Sequence, residues 1–411
     1  MFSFKNILSS GESSTIEPQQ RPYRWLILAV VCLLYAAFGL SVRSMSPVIT
    51  PMLRDLNMSY GEMGFVLGTW QLVYIPVAVF AGAAIDKWGI RRSLFVGGII
   101  MVLSVGLRYF AVGFTTLLPM VALFGIGAPL ISIGAPKTVS EWFSGSNRAI
   151  AVGIYTMAPW MGGLFALAAT NSVVMPLMDY SWRLTFLGYS LLVLVFAFIW
   201  GFFARDIKKN EDIVKTSLKD NFIRLMKVHN VRIVVLAGLI TLFIEHGFSH
   251  WLPKLLENNG FSPETAGYMA SIPLLAAIPC VLLIPRLVKR HLRGRVIGAL
   301  SVLTSVALLV LITASSSGVM VIGLILYGLA TPVLLPMLML VIMDDPEVGS
   351  ANMGLAGGMF FSVAEIGGFT GPLLMGVMVD VAGSFLPGVS VLAGMGLVMC
   401  ALTFLLRKTE V

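Results

Sequence analysis

The sequence predicts an all-α integral membrane protein with twelve transmembrane helices arranged in two six-helix halves. Three observations carry that reading. Of 411 residues, 57% are hydrophobic and only 12% charged, about half the charged share of a soluble domain. The apolar residues gather in runs near or above the roughly 20 residues that cross ~30 Å of hydrocarbon. The longest polar interruption, Arg205 to Asn230, divides six such runs from six.

The first-half runs are 25–46, 61–85, 94–112, 117–137, 148–172 and 183–204; those of the second half are 231–252, 265–285, 296–314, 319–341, 350–379 and 385–406. The chain thus divides into a cytoplasmic tail (1–24), a first half (25–204), a cytoplasmic linker (205–230), a second half (231–406) and a short tail (407–411). Residues 1–24 are polar, and Arg21 and Arg24 flank span 1 as an uncleaved start signal would. Pro47 and Pro51 allow a kinked continuation of span 1 to Leu53. Spans 2 and 3 meet in a tight charged turn, residues 82–92. Within the linker, Phe222, Leu225 and Met226 beside Lys219, Arg224 and Lys227 predict a short amphipathic helix on the membrane surface. The many Gly and Pro inside spans are tolerated in membrane helices.

The net charge of +8 is a matter of topology and not of nucleic-acid binding. Of the 28 Lys and Arg, only Arg54, Arg183 and Lys254 fall in outer loops, and Arg43, Arg108 and Lys137 fall within spans. The rest flank inner ends, which the positive-inside rule assigns to the cytoplasm. Both termini are therefore expected in the cytoplasm and the chain in the cytoplasmic (inner) membrane, as a monomer. Cys32, Cys280 and Cys400 lie in separate spans and suggest neither a disulfide framework nor a metal set.

Ionisable groups within spans are costly and functional by default. Span 1 holds Arg43, span 3 Arg108, span 4 Lys137, span 7 Glu245, His246 and His250, and span 11 Glu365. At 1.5 Å per residue, Arg108, Glu245 and Glu365 each lie about 20 Å from the inner end, past mid-membrane. Lys137 lies near the inner end, where its ammonium either snorkels to the inner surface, pairing with Glu141, or contacts substrate. A guanidinium is a rigid fork for carboxylates and similar oxyanions, so Arg43 and Arg108 are candidate anion ligands; an internal ion pair of Arg43 with Glu245 or Glu365 is the alternative. Trp70, Tyr74, Tyr155 and Trp160 are candidate cavity walls, with plain packing as the rival role. His246 and His250 have i,i+4 spacing but lack a zincin's Glu, so a proton relay is expected rather than a metal. No Gly-x(4)-Gly-Lys-Ser/Thr is present, and neither catalysis nor a cofactor is expected.

Several motifs resemble the major facilitator superfamily of transporters. Gly82-Ala-Ala-Ile-Asp-Lys-Trp-Gly-Ile-Arg-Arg92 is similar to that family's G-x-x-x-D-[RK]-x-G-R-[RK] turn between helices 2 and 3, with Ile90 in place of an Arg. Gly153-Ile-Tyr-Thr-Met-Ala-Pro-Trp-Met-Gly-Gly163 is similar to its span-5 signature G-x(4)-G-P-x-x-G-G, with Ala158 replacing a Gly. Arg286 to Arg295 keep the basic character of the equivalent 8–9 turn without its acid. Three shorter stretches resemble the cyanate permease branch: Arg43 eight residues before Pro51-Met-Leu, Gly106-Leu-Arg108, and His250-Trp-Leu-Pro through Gly260-Phe-Ser to Ala266-Gly267.

The resemblance implies the major facilitator fold and a secondary active transporter of a small organic or inorganic anion, coupled to protons, cycling by alternating access. Arg43 and Arg108 would draw the anion; Glu365, preferred to Glu245, would carry the proton, and Asp86, Arg91, Arg92 and Arg148 would serve the inner gate. Two rivals stand beside it. One is a proton-driven exporter of amphipathic or cationic compounds, with the glutamates as cation ligands. The other is a sensor that retained the fold without transport.

Overall fold

The computed structural model describes residues 22–206, 224–314 and 316–406. Its described residues form helices joined by short turns, without a strand. Twelve helices are long and apolar enough to cross a membrane: α1 Tyr23–Asp55, α2 Tyr60–Trp88, α3 Ile90–Phe110, α4 Phe114–Trp142, α5 Asn147–Leu177, α6 Trp182–Phe203, α7 His229–Asn258, α8 Pro263–Leu287, α9 Arg290–Thr313, α10 Ser317–Asp344, α11 Leu355–Ala382 and α12 Leu386–Thr403. The side on which α1 begins and α12 ends is called proximal below, and the opposite side distal.

Helix ends follow local chemistry. Ser59 and Glu62 form a reciprocal capping box at the start of α2, which satisfies two otherwise orphaned N–H groups. Ser181, Ser262 and Ser316 cap α6, α8 and α10. At the 2–3 turn Gly89 takes φ +85°, a left-handed conformation that side chains disfavour. There Asp206 accepts from the Arg91 N–H at 2.8 Å, while the Arg91 guanidinium donates to the Gly201 carbonyl. As the prolines allowed, α1 continues past Arg43: a 3-10 turn at Ser46–Val48 breaks it, and a short helix Ile49–Asp55 completes it. Phe222 and Lys219 of the expected surface helix lie outside the described residues. Arg224 to Lys227 form one helical turn with Leu225 buried and Met226 exposed.

The two halves repeat one pairing pattern. Helices α1–α5, α2–α4 and α3–α6 pack together in the first half, as do α7–α11, α8–α10 and α9–α12 in the second. Contacts between halves run mainly along α2–α11 and α5–α8, which are equivalent pairs under the same repeat. Both seams depend on close backbone approach. A methyl on Gly64 or Gly376 would strike the carbonyl of Pro372 or Tyr60 across the α2–α11 seam, and one on Gly267 the carbonyl of Leu167 across α5–α8. Small residues at such crossings let membrane helices gain dispersion contacts that lipid cannot outbid.

Polar contacts between halves reinforce the distal side. Asp380 of α11 accepts from the N–H groups of Tyr60 at 2.9 Å and Gly61 at 2.6 Å, at the N-terminus of α2. A carboxylate there also meets the positive end of the helix dipole. Thr50 donates to Glu257, and Asn171 donates to the Pro263 carbonyl at 3.1 Å. With the distal ends joined, a cavity remains at mid-membrane and extends toward the proximal side.

Candidate functional site

The cavity, about 600 Å³, lies between the halves and is lined from α1, α2, α4, α5, α7, α10 and α11, within the usual range for small-ligand sites. A smaller pocket of about 160 Å³ adjoins it and shares Phe38, Val42, Trp160, Glu245 and Pro332. Arg43 occupies this annex, at the last helical turn before the break in α1. Its stem lies over Gly163 of α5, where a methyl would come within 3.2 Å of Arg43 Cγ. Gly163, the last glycine of the span-5 motif, therefore makes room for the arginine.

Arg43 Nη2 donates to Glu245 Oε1 at 2.5 Å, joining the two halves. Side-chain exposures of 13% and 20% put the pair largely out of water. Such a pair is retained where both charges are satisfied. Here Arg43 Nη1 is buried and has no protein acceptor. Next along α7, His246 Nε2 lies 3.0 Å from Glu245 Oε2. On its other side, Gln71 Nε2 of α2 donates to His246 Nδ1 at 2.7 Å and to the Gly368 carbonyl of α11 at 3.3 Å. These bonds assign the tautomer: Nδ1 accepts, so neutral His246 carries its proton on Nε2. The chain Arg43–Glu245–His246–Gln71 crosses between halves twice.

Glu365 lines the same cavity, is 9% exposed, and has one carboxylate oxygen buried without a hydrogen-bond partner. It lies beside the histidine: a methyl on Gly368 would come within 2.8 Å of Glu365 Oε2 and 3.0 Å of His246 Nδ1. Trp70, Tyr74 and Trp160 line the cavity as expected. Tyr155 stacks on Tyr35 with centroids 6.2 Å apart and so stands one ring behind the wall.

Other nominated residues lie elsewhere. Arg108 is 2% exposed, bonds Ser44 Oγ at 3.4 Å and stacks over Phe186 at 5.2 Å. It is sealed inside the first half and does not line the cavity. Lys137 bonds Asp86 near the proximal ends of α4 and α2, and also stays off the cavity wall. His250 is buried between α1 and α7, with Ser46 Oγ at 3.5 Å, distal to the cavity. Asp86, Arg91, Arg92 and Arg148 are exposed at the proximal side. Among the described residues no cluster of His, Cys, Asp and Glu has the arrangement of a metal site. Gln71, Ser46 and Asp380 were not nominated from sequence. A lone amide inside the apolar run 61–85 was the available signal for Gln71.

The Major Facilitator Superfamily model matches residues 31–372 and 255–411, and the chain belongs to that superfamily. It is a multi-pass transporter and not an enzyme. It is 27% identical over 375 residues to a hexuronate transporter of Bacillus subtilis (strain 168), covering 86% of this chain and 87% of that one. It is 24% identical over 393 residues to a probable sulfoacetate transporter of Cupriavidus necator, covering 88% and 89%. The crystal structure of a bacterial homolog of the human lysosomal transporter Spinster matches with TM-score 0.66 at 16% identity, over 93% of this chain and 94% of that one. The likeness to the cyanate permease branch is carried by the short motifs alone.

Proposed function

We propose that the chain is a secondary active transporter that moves a small organic or inorganic anion through the cytoplasmic membrane by alternating access, coupled to protons. One observation carries the reading: Arg43 and Glu245 pair across the two halves at the edge of the central cavity. The names of relatives, which include hexuronate, sulfoacetate and tartrate transporters, support an anionic cargo. An entering carboxylate competes with Glu245 for the guanidinium. Displaced Glu245 is then a buried charge without its cation, a state that low dielectric penalises unless it takes a proton. Anion and proton therefore favour one another's binding. The geometry supports Glu245 as the proton carrier over Glu365, the residue preferred from sequence for its flanking glycines, because Glu245 holds the arginine. His246 is the relay beside it. Opening and closing proceed by rocking one half against the other about the cavity. The protein works as a monomer with both ends in the cytoplasm.

The test is uptake into proteoliposomes under an inward proton gradient, with small carboxylates as cargo. Arg43→Ala is expected to abolish uptake with the protein still folded, and Arg43→Lys to restore only part of it, since an ammonium lacks the bidentate fork. Normal uptake by the Ala variant would overturn the assignment. A second reading, export of cations, draws on the unpartnered oxygen of Glu365. It predicts that cationic compounds, and not anions, raise the unfolding temperature of the purified protein.

A further inference from the structure

We propose that the cavity is built for a monocarboxylate with an apolar, ring- or branch-bearing body, and not for a polyhydroxylated or doubly charged anion. This inference rests on the anion reading above and narrows it to a substrate class.

The first argument is charge. Among the described residues Arg43 is the one Arg or Lys that lines the cavity or its annex, and Glu245 already holds one of its nitrogens. The other two intramembrane cations are committed elsewhere, Arg108 behind Ser44 and Phe186 and Lys137 on Asp86. A second carboxylate or a sulfonate on the same molecule would therefore enter a low-dielectric space with no cation to meet it. With one proton taken by Glu245, a monoanion makes the whole transported load neutral.

The second argument is the supply of hydrogen-bond groups. Two buried N–H donors at the site have no protein partner, Arg43 Nη1 and Trp70 Nε1. The Tyr327 hydroxyl in the annex is likewise buried without a partner, and a donor set this small is on the scale of one carboxylate. Beyond them the wall offers a sugar acid little. Neither Asn nor Gln lines the cavity, and Gln71 spends both amide hydrogens inside the interface. On the main cavity wall most hydroxyls are already engaged with the protein, Tyr74 with Ser132, Thr241 with the Ala237 carbonyl and Thr331 with Thr304, so the hydroxyls left to a substrate are chiefly Ser249 and Tyr327 in the annex. The remaining wall includes Phe38, Val42, Leu242, Pro332, Leu335 and Phe361. Each substrate hydroxyl set against such a surface loses its water without replacement, whereas a ring or branched chain gains contact.

The experiment measures binding to the full-length purified protein by thermal shift, and competition for uptake in proteoliposomes, with four probes. These are benzoate, galacturonate, tartrate and benzyltrimethylammonium. Benzoate is expected to half-saturate at a concentration at least ~10-fold lower than galacturonate or tartrate, because one unpaired hydroxyl alone is worth about that factor. Leu242→Asn, which adds an amide to the wall, is expected to narrow that preference at least several-fold by weakening benzoate and favouring galacturonate. Galacturonate or tartrate binding as tightly as benzoate would overturn the substrate class and leave the anion reading standing. A response to benzyltrimethylammonium with none to any anion would overturn the anion reading itself. Absence of any benzoate response from protein with an intact helical spectrum would also overturn the class.

Discussion

Gln71 has two amide hydrogens and spends one on each side of the interface, at His246 Nδ1 and at the Gly368 carbonyl. A second proton on His246 would place a donor on Nδ1, facing a donor. The amide would have to turn its oxygen toward the ring and would then point that same oxygen at the Gly368 carbonyl. Protonation of one histidine on α7 is thereby linked to a contact between α2 and α11. Gln71→Leu removes the link while keeping the size of the side chain. It is expected to retain counterflow exchange but to flatten the pH dependence of gradient-driven uptake several-fold. An unchanged pH profile in the same vesicles would sink this role. The residue itself stood in plain view in the apolar run 61–85, but a search for charges passes over an amide. Arg43 and Glu245 stand out in the sequence as rare intramembrane charges, and an ion pair between them is one of the alternatives that the sequence leaves open. Arg108 and Lys137 were nominated by the same criterion and lie off the cavity. Depth along a helix is readable from residue count, whereas direction around a kinked helix depends on how its neighbours pack.

At the level of the helices, the twelve apolar runs correspond to the twelve helices, since bilayer thickness imposes their length. The proline-rich continuation of span 1 was equally legible. The seams between halves were not, because a glycine looks alike in sequence whether it faces lipid or another backbone. Gly64 and Gly376 are placed so that any side chain would meet a carbonyl across the α2–α11 seam. Gly376→Val should keep that seam from closing and cost about 1–3 kcal/mol, the usual penalty of overpacking. A lower unfolding temperature and increased labelling of a cysteine introduced at Thr50 would register it. The same variant with wild-type stability and labelling would mean that the seam can shift aside. The turn at Gly89 contrasts with this, because its charged motif was readable and its contacts are with Gly201 of the first half and Asp206 at the start of the linker.

In the whole molecule, polar contacts between the halves concentrate at the distal side, while the cavity extends to the other. Asp380 makes the clearest of these contacts, and Asp380→Asn should weaken it by about 0.3–1 kcal/mol, the scale of a charge at a helix end. That corresponds to a shift of roughly two- to fivefold in the balance of open and closed forms. The expected result is faster distal labelling with substrate affinity unchanged, and a large loss of affinity would instead place Asp380 in the site. The seam beneath it adds a further consequence. Where glycine lies on a carbonyl the two backbones meet directly, and the side chains that interlock along the seam are few, chiefly Phe65 edge-to-face on Phe369 with centroids 5.2 Å apart. The pace of each cycle would then be governed by that ring contact and a few polar contacts at the distal rim, while the choice of cargo would be made at mid-membrane around Arg43. Turnover and selectivity would then reside in different residues, and a lineage of such proteins would be free to change one while keeping the other.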